Sequence, residues 1–68
     1  MDETIKNKWD FLLQCRPEIR SIIGNAKLIG GYIGYDENQD EIFNFITKKG
    51  TFTYNEGTDE FKSKFQIR

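Results

Sequence analysis

Phe43 and Phe45 alternate within one apolar run, followed closely by Lys48 and Lys49 and later by Lys62 and Lys64. Aromatic faces flanked by ammonium groups suit single-stranded nucleic acid, where bases stack and lysines meet phosphates. A second constellation is acidic. Asp36-x-Asn38-x-Asp40 copies the opening of a calcium-binding EF-hand loop. Glu41 stands where that loop requires glycine, and Thr47 where it requires a bidentate glutamate. A hairpin turn therefore accounts for the stretch better than a metal site, and no metal or cofactor is expected.

Catalytic chemistry has little to draw on. The chain contains no histidine for acid–base work, and its one cysteine, Cys15, has no histidine partner. Cys15 falls near the apolar side of a helical stretch and is expected as a small core residue rather than a nucleophile. A lone cysteine closes no internal disulfide and builds no zinc cluster. The paired carboxylates all lie in turns, where no burial would raise a pKa. The sequence reads as non-enzymatic.

The elements that position these residues follow from periodicity. Asp2 or Thr4 can cap a first helix, along which Ile5, Trp9, Leu12 and Leu13 form one apolar stripe. Pro17 disfavours helix at Arg16, so the first helix should stop near Cys15 and a second begin at Pro17. Ile19, Ile22 and Ile23 give that second helix an apolar face, and Gly24 offers a stop. A single kinked helix is the alternative. From Lys27 to Asn55 run three β-type stretches: Lys27–Tyr35, Glu41–Thr47 and Thr51–Asn55. A fourth, Phe61–Arg68, alternates Phe61, Ser63, Phe65 and Ile67 inward with Lys62, Lys64, Gln66 and Arg68 outward. Its lysines mark it as a sheet border. Gly30, Gly31 and Gly34 inside the first run predict a bend or bulge beneath the packed helix.

The turn Lys48-Lys49-Gly50 fits a three-residue hairpin loop with Gly50 left-handed in a bulge. That register puts Ile42, Ile46, Phe52 and Tyr54 on one face and leaves Phe43 and Phe45 on the other. A two-residue Lys49-Gly50 turn would gather Phe43, Phe45, Phe52 and Tyr54 instead, because a one-residue slip exchanges faces.

With ten basic and eleven acidic side chains the net charge is −1, which gives no overall attraction to nucleic acid or anionic membrane. The signs are nevertheless segregated. In an up-and-down meander, Asp36, Glu37, Asp40, Glu41, Glu56, Asp59 and Glu60 collect at one end of the sheet. Lys27, Lys48, Lys49 and Arg68 collect at the other. The acidic N-terminus lacks a signal-peptide pattern, and no apolar run approaches the roughly 20 residues of a membrane span, so a cytoplasmic location without membrane contact is expected.

The expected architecture is α+β: one domain over 1–68, an N-terminal helical segment (3–23) packed on a four-stranded antiparallel β-meander (27–68). A small curled β-barrel with an N-terminal helix is the alternative. The expected function is a small protein-interaction module, a regulator or inhibitor of bacterial or phage type acting on a host or partner protein. A single-stranded nucleic-acid-binding protein using Phe43, Phe45, Lys48, Lys49, Lys62 and Lys64 is the competing class. A homodimer is also expected. A 68-residue chain without disulfide or metal has a marginal core, and Phe43 and Phe45 would leave an apolar second sheet face to cover. The helix-then-meander outline itself is common to too many small domains to carry function.

Overall fold

Pro17 divides the helical segment as its chemistry requires. In the computed structural model, which describes residues 3–64, α1 spans Glu3–Cys15 and α2 spans Pro17–Ile23. Arg16 between them is extended, at φ −126° and ψ 89°, the conformation a following proline imposes. α2 ends at Gly24, whose φ of 65° suits glycine and whose N–H donates to the Arg20 carbonyl at 2.9 Å. Two helices replace the single kinked one. The capping role considered for Asp2 lies outside the described residues, as do Phe65, Gln66, Ile67 and Arg68 of the expected last strand.

Ile5, Trp9 and Leu12 of α1 and Ile19 and Ile23 of α2 are buried. Two expectations fail at the margins of these stripes. Cys15 is exposed rather than a core residue, because with Phe11 it lies around the helix from the Ile5–Trp9–Leu12 line. Ile22 is likewise exposed, since the i, i+4 pair Ile19 and Ile23 alone turns inward.

Strands β1 (Leu28–Tyr35), β2 (Glu41–Thr47), β3 (Gly50–Asn55) and β4 (Glu60–Lys64) form one antiparallel sheet in sequential order. β1 and β4 do not pair, so the sheet is open and the barrel alternative does not hold. The fold is α+β, with the helical region packed on one sheet face.

The β2–β3 register corrects the favoured sequence reading. Thr47 pairs with Gly50, which places Phe45 opposite Phe52 and Phe43 opposite Tyr54. The loop has two residues, Lys48-Lys49. The Thr47 hydroxyl accepts the Lys49 N–H at 3.1 Å and donates to the Gly50 carbonyl at 2.8 Å. This clasp holds Gly50, at φ 134°, directly across the ladder and removes the bulge offset. Phe43, Phe45, Phe52 and Tyr54 therefore share the face beneath the helices. Trp9 sits among them, 5.0 Å from the Phe45 ring and 6.1 Å from the Phe52 ring, in tilted geometry.

An irregularity of the bulge kind expected in the first strand is present, at the strand's start. The β1–β2 register shifts between Leu28 and Gly30, and α1 crosses close above Gly31. A Cβ at Gly31 would run into the Asn44 carbonyl oxygen and sit 2.8 Å from Ile5 Cγ2. One at Gly30 would meet nothing within 4 Å. Gly31→Ala is therefore expected to destabilise the chain by about 1–3 kcal/mol, the usual cost of forcing atoms into a filled site. Gly30→Ala should change stability by less than about 0.5 kcal/mol. Urea midpoints at constant m-value decide between the two sites.

Candidate functional site

Sequential strand order does bring the two acidic turns together. The Glu56 N–H donates to the Glu41 carbonyl at 3.0 Å, so residues 36–40 and 56–59 lie side by side at one end of the sheet. Much of this acidity organises backbone. Asp36 Oδ1 accepts the N–H groups of Asn38 and Asp40, both at 2.9 Å, and Oδ2 accepts from Asn55 Nδ2 at 3.2 Å. Its carboxyl is held below the usual range, first by the Asp40 N–H. The Asp-x-Asn-x-Asp pattern is thus a self-bonded turn. Among the described residues, no group of three His, Cys, Asp or Glu side chains is arranged to hold a metal ion.

Asp59 is occupied as well. Its Oδ1 accepts the Tyr54 phenol at 2.5 Å and Arg16 Nη1 at 2.6 Å, while Arg16 Nε reaches Glu18 at 2.6 Å. This cluster fastens the α1–α2 corner to the β3–β4 turn. Burial, reinforced by the Asp59 carboxylate, pushes the Tyr54 hydroxyl up to about 12. The Tyr54 hydrogen bond, then that of Arg16, holds Asp59 below the ordinary carboxylate range. Lys8 bridges to Glu56 at 2.9 Å while its ammonium lies 5.2 Å from the centre of the Phe43 ring. Glu37, Asp40 and Glu41 form no ion pair among the described residues and constitute the open part of the acidic pole.

Lys27, Lys48 and Lys49 fall at the opposite end, where Leu28 pairs with Thr47 and the β2–β3 loop turns. Lys49 Nζ donates to Asn25 Oδ1 at 2.5 Å. By register Lys62 occupies the sheet face away from the helices, opposite Thr53; Lys64 pairs with Thr51 along the ladder, and its side chain lies outside the described ones. Phe43 and Phe45 do not join them. Both lie on the helix face, with 4% and 0% of their surface exposed, because the Thr47–Gly50 pairing turned that face inward. The expected platform of two phenylalanines among four lysines is therefore not assembled.

A different residue heads the uncovered face. Tyr32, 60% exposed, pairs with Asn44 and has Gly30 and Gly34 as its same-face neighbours along β1. Ile46, 36% exposed, and half-buried Ile42 lie diagonally across on β2, with Thr51 and Thr53 beyond on β3. Asn44 in the middle is buried, its Nδ2 donating to the Ile42 carbonyl at 3.2 Å. The result is an apolar and hydroxyl-bearing centre with charges confined to its rim: Lys62 and Glu60 on β4 and Lys48 at the basic end. Sequence reasoning passed over Tyr32. The available signal was the alternation Gly30, Tyr32, Gly34, which leaves one aromatic ring standing without flanking side chains.

Asp59 and Tyr54 set opposite limits on stability with pH. A depressed carboxyl stabilises the fold above its unfolded pKa and loses that contribution as pH falls through the folded value. A raised phenol does the reverse: its contribution is complete below the unfolded value near 10 and is lost as pH rises towards about 12. Tyr54→Phe is expected to flatten the alkaline decline of Tm between about pH 10 and 12 relative to the parent. It should also weaken the acid-side dependence that Asp59 supplies. Thermal melts of both proteins across pH 2–12 measure the difference; parallel profiles would show that the Tyr54–Asp59 bond carries none of it.

No helix among the described residues is long and apolar enough to cross a membrane. No family model matches the chain, and no similarity to a curated protein or to a solved structure is found.

Proposed function

We propose that the chain is a non-enzymatic protein-interaction module that binds a protein partner through the sheet face left uncovered by the helices. In this reading it acts as a regulator or inhibitor by occupying that partner's surface. The composition of the face supports it: Tyr32, Ile42 and Ile46 form the centre, and every charged residue lies at the rim. Protein interfaces are built that way, with an apolar core in which aromatic side chains such as tyrosine are enriched and charges depleted. Single-stranded nucleic acid calls for several stacking rings along a positive groove. Here one exposed ring stands on a face whose ends carry opposite signs.

Replacing Tyr32 with a photo-crosslinking phenylalanine analogue in cells tests the reading, with the same analogue at Ile22 on the helical side as control. Position 32 is expected to yield adducts with a second protein species, heavier than two copies of this chain, and position 22 is not. Ile46→Lys should lower the yield about tenfold or more, as for a residue at an interface centre. Equal yields from both positions would remove the face from consideration. Binding of labelled single-stranded DNA or RNA that falls steeply between about 50 and 200 mM salt would put nucleic acid in the partner's place.

A further inference from the structure

β1 is an edge strand without the usual guards. Its eight residues, Leu28–Tyr35, include no charge and no proline. No described loop or turn segment donates to or accepts from its backbone. Three exposed apolar side chains, Ile29 (54%), Tyr32 (60%) and Tyr35 (67%), lie on this one strand. The opposite edge, β4, carries Glu60, Lys62 and Lys64. Charged edges resist further pairing, whereas long uncharged ones template it. The only irregularity in β1, the shift between Leu28 and Gly30, leaves Gly30–Tyr35 in regular register.

We propose that β1 pairs edge to edge with β1 of a second copy, antiparallel about a two-fold axis normal to the sheet, joining two four-stranded sheets into one. The charges at the strand ends select this occupant. Lys27 precedes β1 and Asp36 and Glu37 follow it, so antiparallel self-pairing brings opposite signs together at both ends. Lys27 and Glu37 form no ion pair within the described chain. Such an axis keeps helix-covered face beside helix-covered face, so residues of like orientation must oppose each other. With Tyr32 on the axis, Ile29 falls near Tyr35 of the second copy, and Lys27, just before the strand, meets the Asp36–Glu37 end of its partner. All three exposed apolar residues then enter cross-strand pairs, and main-chain hydrogen bonds supply affinity as in strand addition generally. Tyr32 also stands on the open face, but Lys27 and Glu37 do not, so their charge exchange tests the pairing independently of the protein-binding reading.

Sedimentation equilibrium of the purified chain between about 1 and 300 µM, a range suited to a small interface, tests this. The mass is expected to rise from 8.0 kDa towards twice that value. Tyr32→Lys, which sets two ammonium groups face to face on the axis, should weaken association about tenfold or more. Lys27→Glu should weaken it roughly three- to tenfold, because symmetry counts each charge pair twice, and adding Glu37→Lys should restore it. All the substituted positions are exposed, and unchanged circular dichroism would verify that the variants fold. A mass of 8.0 kDa at every concentration would overturn the proposal and leave the edge to an extended segment of another protein. Association indifferent to Tyr32→Lys, or Lys27→Glu without rescue by Glu37→Lys, would overturn it too.

Discussion

One pairing, Thr47 against Gly50, marks which side of this sheet is the inside. Thr47 accepts the Lys49 N–H and donates to the Gly50 carbonyl, which closes a two-residue loop and sets Thr47 against Gly50. Every pairing further along β2 and β3 follows from that contact. A slip of one residue would send Phe52 and Tyr54 to the far side from Phe43 and Phe45 and divide the aromatic cluster around Trp9. Removing the ring of a single such phenylalanine costs about 3–5 kcal/mol, while a hydrogen bond is worth roughly 0.5–1.5 kcal/mol net. The aromatic cluster therefore supplies the energy, and the Thr47 clasp makes that packing compatible with so short a turn.

The elements were largely legible because their signals are local. Pro17 after Arg16, Gly24 after Ile23 and the Ile5–Trp9–Leu12 spacing each act within a few residues, and each places a boundary or face where it is found. The hairpin register was not legible in the same way. Lys48-Lys49-Gly50 is compatible with two loop lengths of opposite facial outcome, and β2 is apolar at both parities, so alternation along it carries no information. The discriminating fact is non-local: Trp9 and Ile5 need Phe45 beneath them, and Gly31 lets α1 come that close. From that error the misplaced site followed directly. The longer loop puts Phe43 and Phe45 on the surface, whereas the isolation of Tyr32 between Gly30 and Gly34 is a period-two signal that marks the open face.

The charges divide into those the fold requires and those it leaves open. Asp36 ties the β1–β2 turn to Asn55, and Asp59 ties the β3–β4 turn to the helical corner through Tyr54 and Arg16. Lys8 lies across the Phe43, Tyr54 and Phe11 rings while reaching Glu56. A long side chain of this kind shields apolar surface with its stem and neutralises a carboxylate with its tip. The two helices thus cover one face of the sheet and also neutralise part of its acidic end. Glu37, Asp40 and Glu41 remain, opposed across the length of the sheet by Lys27 and Lys48.

What the helices do not cover is as ordered as what they do. Asn44 is the one buried polar residue of the central strand on the open side, and its amide is satisfied by the Ile42 carbonyl of its own strand. That bond fixes the amide against its own strand. Around it Tyr32, Ile42 and Ile46 offer contact without polar demand, and Thr51 and Thr53 offer hydroxyls that can rotate to suit either donors or acceptors. Such a surface sets few directional conditions on an occupant, and the discrimination falls to the rim, where signs differ from end to end. Charge pairs at a rim add little affinity but fix orientation, because the wrong pole-to-pole alignment sets like charges together. The covered face of this sheet is thus specified by shape and its open face by polarity.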